Sequence, residues 1–140
     1  MKRFRFSLDR VLSWRRQQLE MEQSRLAALL AELAGRIEHA GRLEREQLEV
    51  RRRLCAEPQE LATGDNWLRC LAGQLQQTRA EIAAFERRIQ AQQTAVRAAR
   101  RAAEVLERLK QRRFGEWQAA LDREQENLAG ELYLARWKKG

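Results

Sequence analysis

The side chains that could carry chemistry in this chain are few and stand apart. The one histidine, His39, sits mid-helix beside Glu38 and reads as a solvated helix residue. Ser7, Ser13 and Ser24 have no local base, so no activated nucleophile is assembled. No phosphate-cradling glycine loop and no GKS or GKT run occurs. The glutamates fall at helical charge spacing, the pattern of a solvated face. Cys55 and Cys70 lack metal-ligand spacing. In an intracellular-looking chain such thiols are expected reduced, as small, partly buried groups near a helix–helix turn. The alternative is a redox-formed clip across that turn. The expectation is a protein that is not an enzyme and uses no cofactor and no metal.

What the chain offers in quantity is positive charge. Its 28 Lys and Arg against 20 Asp and Glu give a net charge of +8. Residues 1–16 carry a net +5, from Lys2, Arg3, Arg5, Arg10, Arg15 and Arg16 against Asp9. Residues 97–113 carry another +5, and the two remaining stretches are each at −1. With Phe4, Phe6 and Trp14 nearby, such a block could hold nucleic-acid phosphates and stack on bases. No recognised nucleic-acid motif is present, however, and acidic residues nearly balance the rest of the chain. Basic charge on a helical protein more often steers it to an acidic protein surface. Protein docking is therefore the expectation, with no nucleic acid.

The elements that must position these residues are helices. Among 140 residues there is one Pro, seven Gly and only nine aromatics, with Ala, Glu, Leu, Arg and Gln dominant. Such a chain can bury a narrow seam between helices but not a thick core. Leu12, Leu19, Leu26, Leu33, Ala40, Gln47 and Leu54 recur at heptad spacing, and Leu8, Leu29, Leu43 and Val50 form the second set. Arg15, Glu22 and Arg36 are faults in that second set. The pattern predicts a first helix over about 7–57, capped by Ser7 and ended by Glu57-Pro58. A turn over about 58–66 follows, through Thr63-Gly64-Asp65-Asn66, with Asp65 or Asn66 able to cap the next helix. The second helix, about 66–137, repeats the seam with Leu68, Leu75, Ile82, Ile89, Val96 and Ala103, and with Leu71, Thr78, Phe85, Gln92, Ala99 and Leu106. Past Leu109 the phase slips to Phe114, Trp117, Leu121, Leu128 and Leu132.

Two long helices with a short connection are expected to fold back antiparallel, as one all-α coiled-coil hairpin over residues 1–140. A register in which facing positions sum to 125 pairs large with small and polar with polar residues, set to about one heptad. It puts Leu43 opposite Ile82, Val50 opposite Leu75, Cys55 opposite Cys70, Arg15 opposite Lys110 and Leu12 opposite Arg113. The two basic blocks then meet, a like-charge crowding that an acidic partner would relieve. The second helix outlasts the first. Its apolar overhang, Trp117, Leu121, Leu128, Leu132 and Trp137, is a contact surface and a possible route to a homo-oligomer. No apolar h-region follows Lys2, Arg3 and Arg5, and no membrane-span run occurs. A soluble, cytoplasmic protein without membrane insertion is expected.

The opening Phe4-Arg5-Phe6-Ser7-Leu8-Asp9-Arg10-Val11-Leu12 resembles that of the FliJ family of flagellar export proteins, an F-x-F-x-L-x-x-V-L pattern followed by Arg- and Gln/Glu-rich helix. The stretch Leu106-Glu107-Arg108-Leu109-Lys110-Gln111-Arg112 and the acidic, amide-rich run from Trp117 to Glu131 are similar to later parts of that family. The resemblance implies a cytoplasmic stalk protein of the bacterial flagellum, peripheral to the inner membrane, acting in protein transport and thus in motility and chemotaxis. Its implied partners are the export ATPase ring, the cytoplasmic domain of the export gate, and export chaperones. The ATPase-facing end would carry Arg3, Arg5, Arg10, Arg15, Arg16, Lys110, Arg112 and Arg113. The gate-facing surface, near the helix–helix turn, would carry Val50, Leu54, Trp67, Leu71 and Leu75. Tyr and Phe are common there in the family, where this chain has Cys70 and aliphatics. YscO-type injectisome stalk proteins are similar enough to share this reading, and a generic coiled-coil scaffold is the other alternative.

Overall fold

The computed structural model describes residues 3–139. Lys2, counted above in the basic block, lies outside them. Two helices make up nearly all of the chain. Helix α1 spans Asp9–Ala56 (48 residues), a short 3₁₀ turn spans Pro58–Glu60, and helix α2 spans Leu61–Lys139 (79 residues). The protein is thus all-helical, with the second helix the longer.

The ends of the elements follow local chemistry. The first intrahelical bond of α1 runs from the Leu12 amide to the Leu8 carbonyl at 2.9 Å, and Asp9 places a carboxylate at the positive end of the helix. Ser7, expected as the cap, lies one residue further out, and its hydroxyl instead accepts from Arg113 Nη1 at 3.1 Å. At the other end Glu57 leaves the helical region (φ −132°, ψ 81°), as a following proline disfavours that region for the residue before it. Pro58 then starts the 3₁₀ turn, closed by the Glu60 amide on the Glu57 carbonyl at 3.2 Å.

That turn runs straight into α2, which corrects the expected loop. Thr63, Gly64, Asp65 and Asn66 are helical, and Asp65 pairs with Arg69 one turn on, at 3.2 Å, rather than capping. A connection of four residues instead of about nine also moves the register. Leu54, expected opposite Leu71, lies instead against Gly64, where an added Cβ would sit 2.2 Å from Leu54 Cδ2. Gly64 is one heptad before Leu71. A whole-heptad shift keeps the same positions in the seam and changes only their partners.

The chain divides into two compact units, one of Glu20–Arg97 and one of Met1–Leu19 with Ala98–Gly140. In the first, Ala40, Leu43, Leu71 and Leu75 form the buried cluster, with Val50 and Ile82 packed against it. Burying a leucine of this kind is worth about 1.5–3 kcal/mol. Thr78, Phe85, Ile89 and Val96 are also buried at their predicted seam positions. Two of the faults, Glu22 and Arg36, are resolved by polar partners. Glu22 accepts from Gln92 Nε2 and pairs with Arg25 at 3.0 Å. Arg36 pairs with Glu81 while its guanidinium lies 5.6 Å from the Phe85 ring. Glu44 pairs with Arg79 at 3.1 Å.

In the second unit Leu12, Phe6 and Ala103 are buried, Leu12 completely. Arg16 pairs with Glu107 at 3.0 Å and Lys110 with Asp9 at 2.8 Å. Arg15, expected to face Lys110, lies instead over the ring of its neighbour Trp14. Arg113, expected opposite Leu12, lies over Phe6 at 5.7 Å. The register adopted sets a carboxylate, not a guanidinium, against the Lys110 ammonium, and so relieves the anticipated repulsion.

Candidate functional site

Three surfaces correspond to the residues singled out by the sequence, and the structure redistributes each of them. The first is basic and aromatic. Residues 3–6 run in a non-helical strap before α1, and Phe4 packs edge-on to Phe114 at 5.2 Å and against Trp117 at 5.8 Å. Phe114 and Trp117 are themselves 5.7 Å apart, one turn along α2. Three rings in mutual contact hold the strap down at about 0.5–1.5 kcal/mol per pair beyond the area they bury.

Two grooves flank this strap. One, of about 520 Å³, is lined by Arg3, Phe4, Arg5, Phe6, Ser7, Asp9, Arg10 and Lys110. The other, of about 820 Å³, is lined by Arg3, Phe4, Arg5, Arg113, Glu116 and Trp117. Five of the eight basic residues expected to act together are therefore gathered on these grooves. Arg15, Arg16 and Arg112 are not: Arg15 covers Trp14, Arg16 pairs with Glu107, and Arg112 pairs with Glu116 at 3.6 Å. Lys110 is compensated by Asp9. Among the described residues Arg3, Arg5, Arg10 and Arg113 make no ion pair, so they carry the uncompensated charge of the site, Arg113 held by the Ser7 hydroxyl and the Phe6 ring. The role of Phe114 and Trp117 as the seat of the strap was not foreseen. The phase slip after Leu109 was its signal, since a slip turns new side chains inward.

The second surface is a cleft of about 250 Å³ beside the helix–helix connection. Val50, Leu54 and Trp67, three of the five residues assigned to the gate-facing surface, line it with Thr63 and Gly64. Leu71 and Leu75 do not reach it. They are 4% and 5% exposed, inside the core cluster, because both occupy seam positions that face α1. Glu46, Glu49 and Glu60, whose helical spacing reads as a solvated face, complete the rim together with Arg53. Nearby, Cys55 and Cys70 are exposed free thiols, not the half-buried facing pair expected, since each sits one residue off the seam.

The third surface is the C-terminal part of α2. Leu128, Leu132, Tyr133, Leu134 and Trp137 are all exposed, Trp137 at 71%, and Trp137 Nε1 donates to the Tyr133 hydroxyl at 3.0 Å. Trp117 and Leu121, assigned to the same exposed stripe, are half-buried instead, Trp117 within the aromatic cluster.

Among the described residues no group of three or more His, Cys, Asp or Glu side chains could hold a metal ion. No described helix is long and apolar enough to cross a membrane. No family model, curated protein or solved structure matches this chain.

Proposed function

We propose that this chain is an antiparallel coiled-coil hairpin that serves as a non-catalytic stalk and escort protein of bacterial flagellar protein export. In this reading the basic, strap-bearing surface meets the export ATPase ring. The cleft beside the connection faces the cytoplasmic domain of the export gate, and the chain assists delivery of chaperone-bound cargo. It works in the cytoplasm, peripheral to the inner membrane, and takes no nucleic acid.

The observation that carries the reading is where the F-x-F-x-L-x-x-V-L residues lie. Phe4 belongs to the aromatic cluster, Phe6 and Leu12 are buried, and Leu8 is half-buried. Four of the five apolar residues of the pattern pack, with Val11 exposed, and leave the interleaved Arg5 and Arg10, and Arg3 before them, on the outside, where an acidic partner can reach them. The heptad seam in both helices supports the hairpin.

The test is binding of the export ATPase to the full chain and to the triple variant Arg3→Glu/Arg5→Glu/Arg10→Glu. These three residues hold no internal ion pair, so helicity should be retained. The expected result is about tenfold or greater weakening at low salt, with the difference narrowing as salt rises. Wild-type affinity in the triple variant would end the electrostatic docking idea. A competing reading, a scaffold that oligomerises through α2, is favoured by the exposed Leu128, Leu132 and Trp137. Light scattering decides it, since a tight dimer of the isolated chain would support the scaffold.

A further inference from the structure

We propose that the cleft beside the helix–helix connection is a docking site for a cationic peptide segment that inserts one apolar anchor residue. The inference rests on the stalk reading only for the identity of the partner, and its binding chemistry stands on the cleft.

The floor is apolar, and the Leu54 side chain in it lies against Gly64. Leu54 lies so close to Gly64 that any side chain at position 64 would collide with it. Val50 and Leu54 from α1 and Trp67 from α2 are left as the lining. At about 250 Å³ the space is below the roughly 300–1,000 Å³ usual for drug-sized ligands, and it suits a single Leu- or Phe-sized side chain. Trp67 is 53% exposed, an open aromatic face of the kind that anchors peptides.

The rim sets the sign of the partner. Three carboxylates, Glu46, Glu49 and Glu60, stand around the cleft against one guanidinium, Arg53. Arg53 already pairs with Glu49 at 3.8 Å, and among the described residues Glu46 and Glu60 make no ion pair. This acidic rim belongs to a chain of net charge +8. An anionic segment is drawn to the basic grooves instead, whereas a Lys or Arg finds carboxylates beside an exposed indole. Cation–π contact at such an exposed ring is worth about 0.5–1 kcal/mol, and charge-assisted hydrogen bonds to Glu46 and Glu60 would add to it.

The experiment selects a random twelve-residue peptide library, displayed on phage, against the immobilised full chain. Enriched peptides are then measured on the wild type, on Trp67→Ala, and on Glu46→Gln/Glu60→Gln. Both variants change exposed side chains, and circular dichroism checks that helicity is retained. The expected outcome is peptides that place Lys or Arg beside Leu or Phe, bind about tenfold or more weakly to each variant, and weaken with salt. Three results would overturn the proposal: no enrichment, enrichment of acidic peptides, or affinity unchanged in both variants. A concentration-dependent dimer abolished by Trp67→Ala would overturn it in favour of a second copy as the occupant. The ATPase measurement above is independent. If that fails and the cleft still selects basic peptides, the stalk reading falls and the docking site stands.

Discussion

Gly64 shows how one missing side chain sets the packing around it. A methyl group there would fall 2.2 Å from Leu54 Cδ2 and 2.8 Å from Cγ, so Leu54 would have to leave the cleft floor. Gly73, in the same helix, has open space around its Cβ position. The two glycines should therefore answer oppositely to substitution. Gly73→Ala should stabilise by about 0.5–1 kcal/mol, the ordinary gain of removing a helical glycine. Gly64→Val should destabilise by about 1–3 kcal/mol through overpacking. Chemical denaturation of both variants checks this, and an equal response would mean that the Leu54–Gly64 approach is not a constraint. Arg36 makes a similar point for polar residues. A guanidinium in a heptad position is tolerated because its head reaches Glu81 and its plane covers Phe85.

At the scale of elements, the start of α1 depends on a strap that is not itself helical. Phe4 and Phe6 dock on α2 and its Arg113, Phe4 at Phe114 and Trp117 and Phe6 beneath the guanidinium, while Leu12 is fully buried one turn into the helix. Leu12→Ala should cost about 2–5 kcal/mol, the usual loss for a completely buried leucine. Phe4→Ala should cost less in global stability but should change the surroundings of Trp117. Near-ultraviolet circular dichroism reads that change directly, while far-ultraviolet helicity should hold. If the near-ultraviolet spectrum were unchanged, the aromatic cluster would not be what seats the strap. The last stretch of α2 behaves differently, because no side chain from Asp122 to Lys138 is buried. The triple variant Leu128→Gln/Leu132→Gln/Trp137→Gln should leave the melting temperature within about 2 °C, since exposed substitutions rarely exceed 0.5 kcal/mol. Any loss in the ability to hold a partner would then belong to binding and not to folding.

For the whole molecule the governing quantity is the division of charge. A net +8 favours acidic partners in general, but the structure separates basic residues that are already compensated from those that are not. Arg16, Lys110 and Arg112 have carboxylate partners, whereas Arg3, Arg5, Arg10 and Arg113 stand on grooves without one. The cleft lined by Glu46, Glu49 and Glu60 has the opposite sign. A protein with surfaces of both signs can engage two partners of different chemistry, as the proposed linking role requires.

The heptad arrangement of Leu, Ile, Val and Ala was legible from the sequence because a seam needs only a period, and a period is local. The same sequence placed the end of α1 at Pro58, since proline acts on its immediate neighbours. It could not place the start of α2. Gly64, Asp65 and Asn66 have turn chemistry, yet a 3₁₀ turn at Pro58 and the contact with Leu54 favour helix there. From that shorter connection follows the one-heptad change in partners near it. Burial also decided which candidate residues are surface, taking Leu71 and Leu75 into the core and leaving Trp67 outside. Period and capping are written in neighbouring residues. Register, cleft and charge compensation depend on residues far apart in the chain, and only the folded packing brings those together.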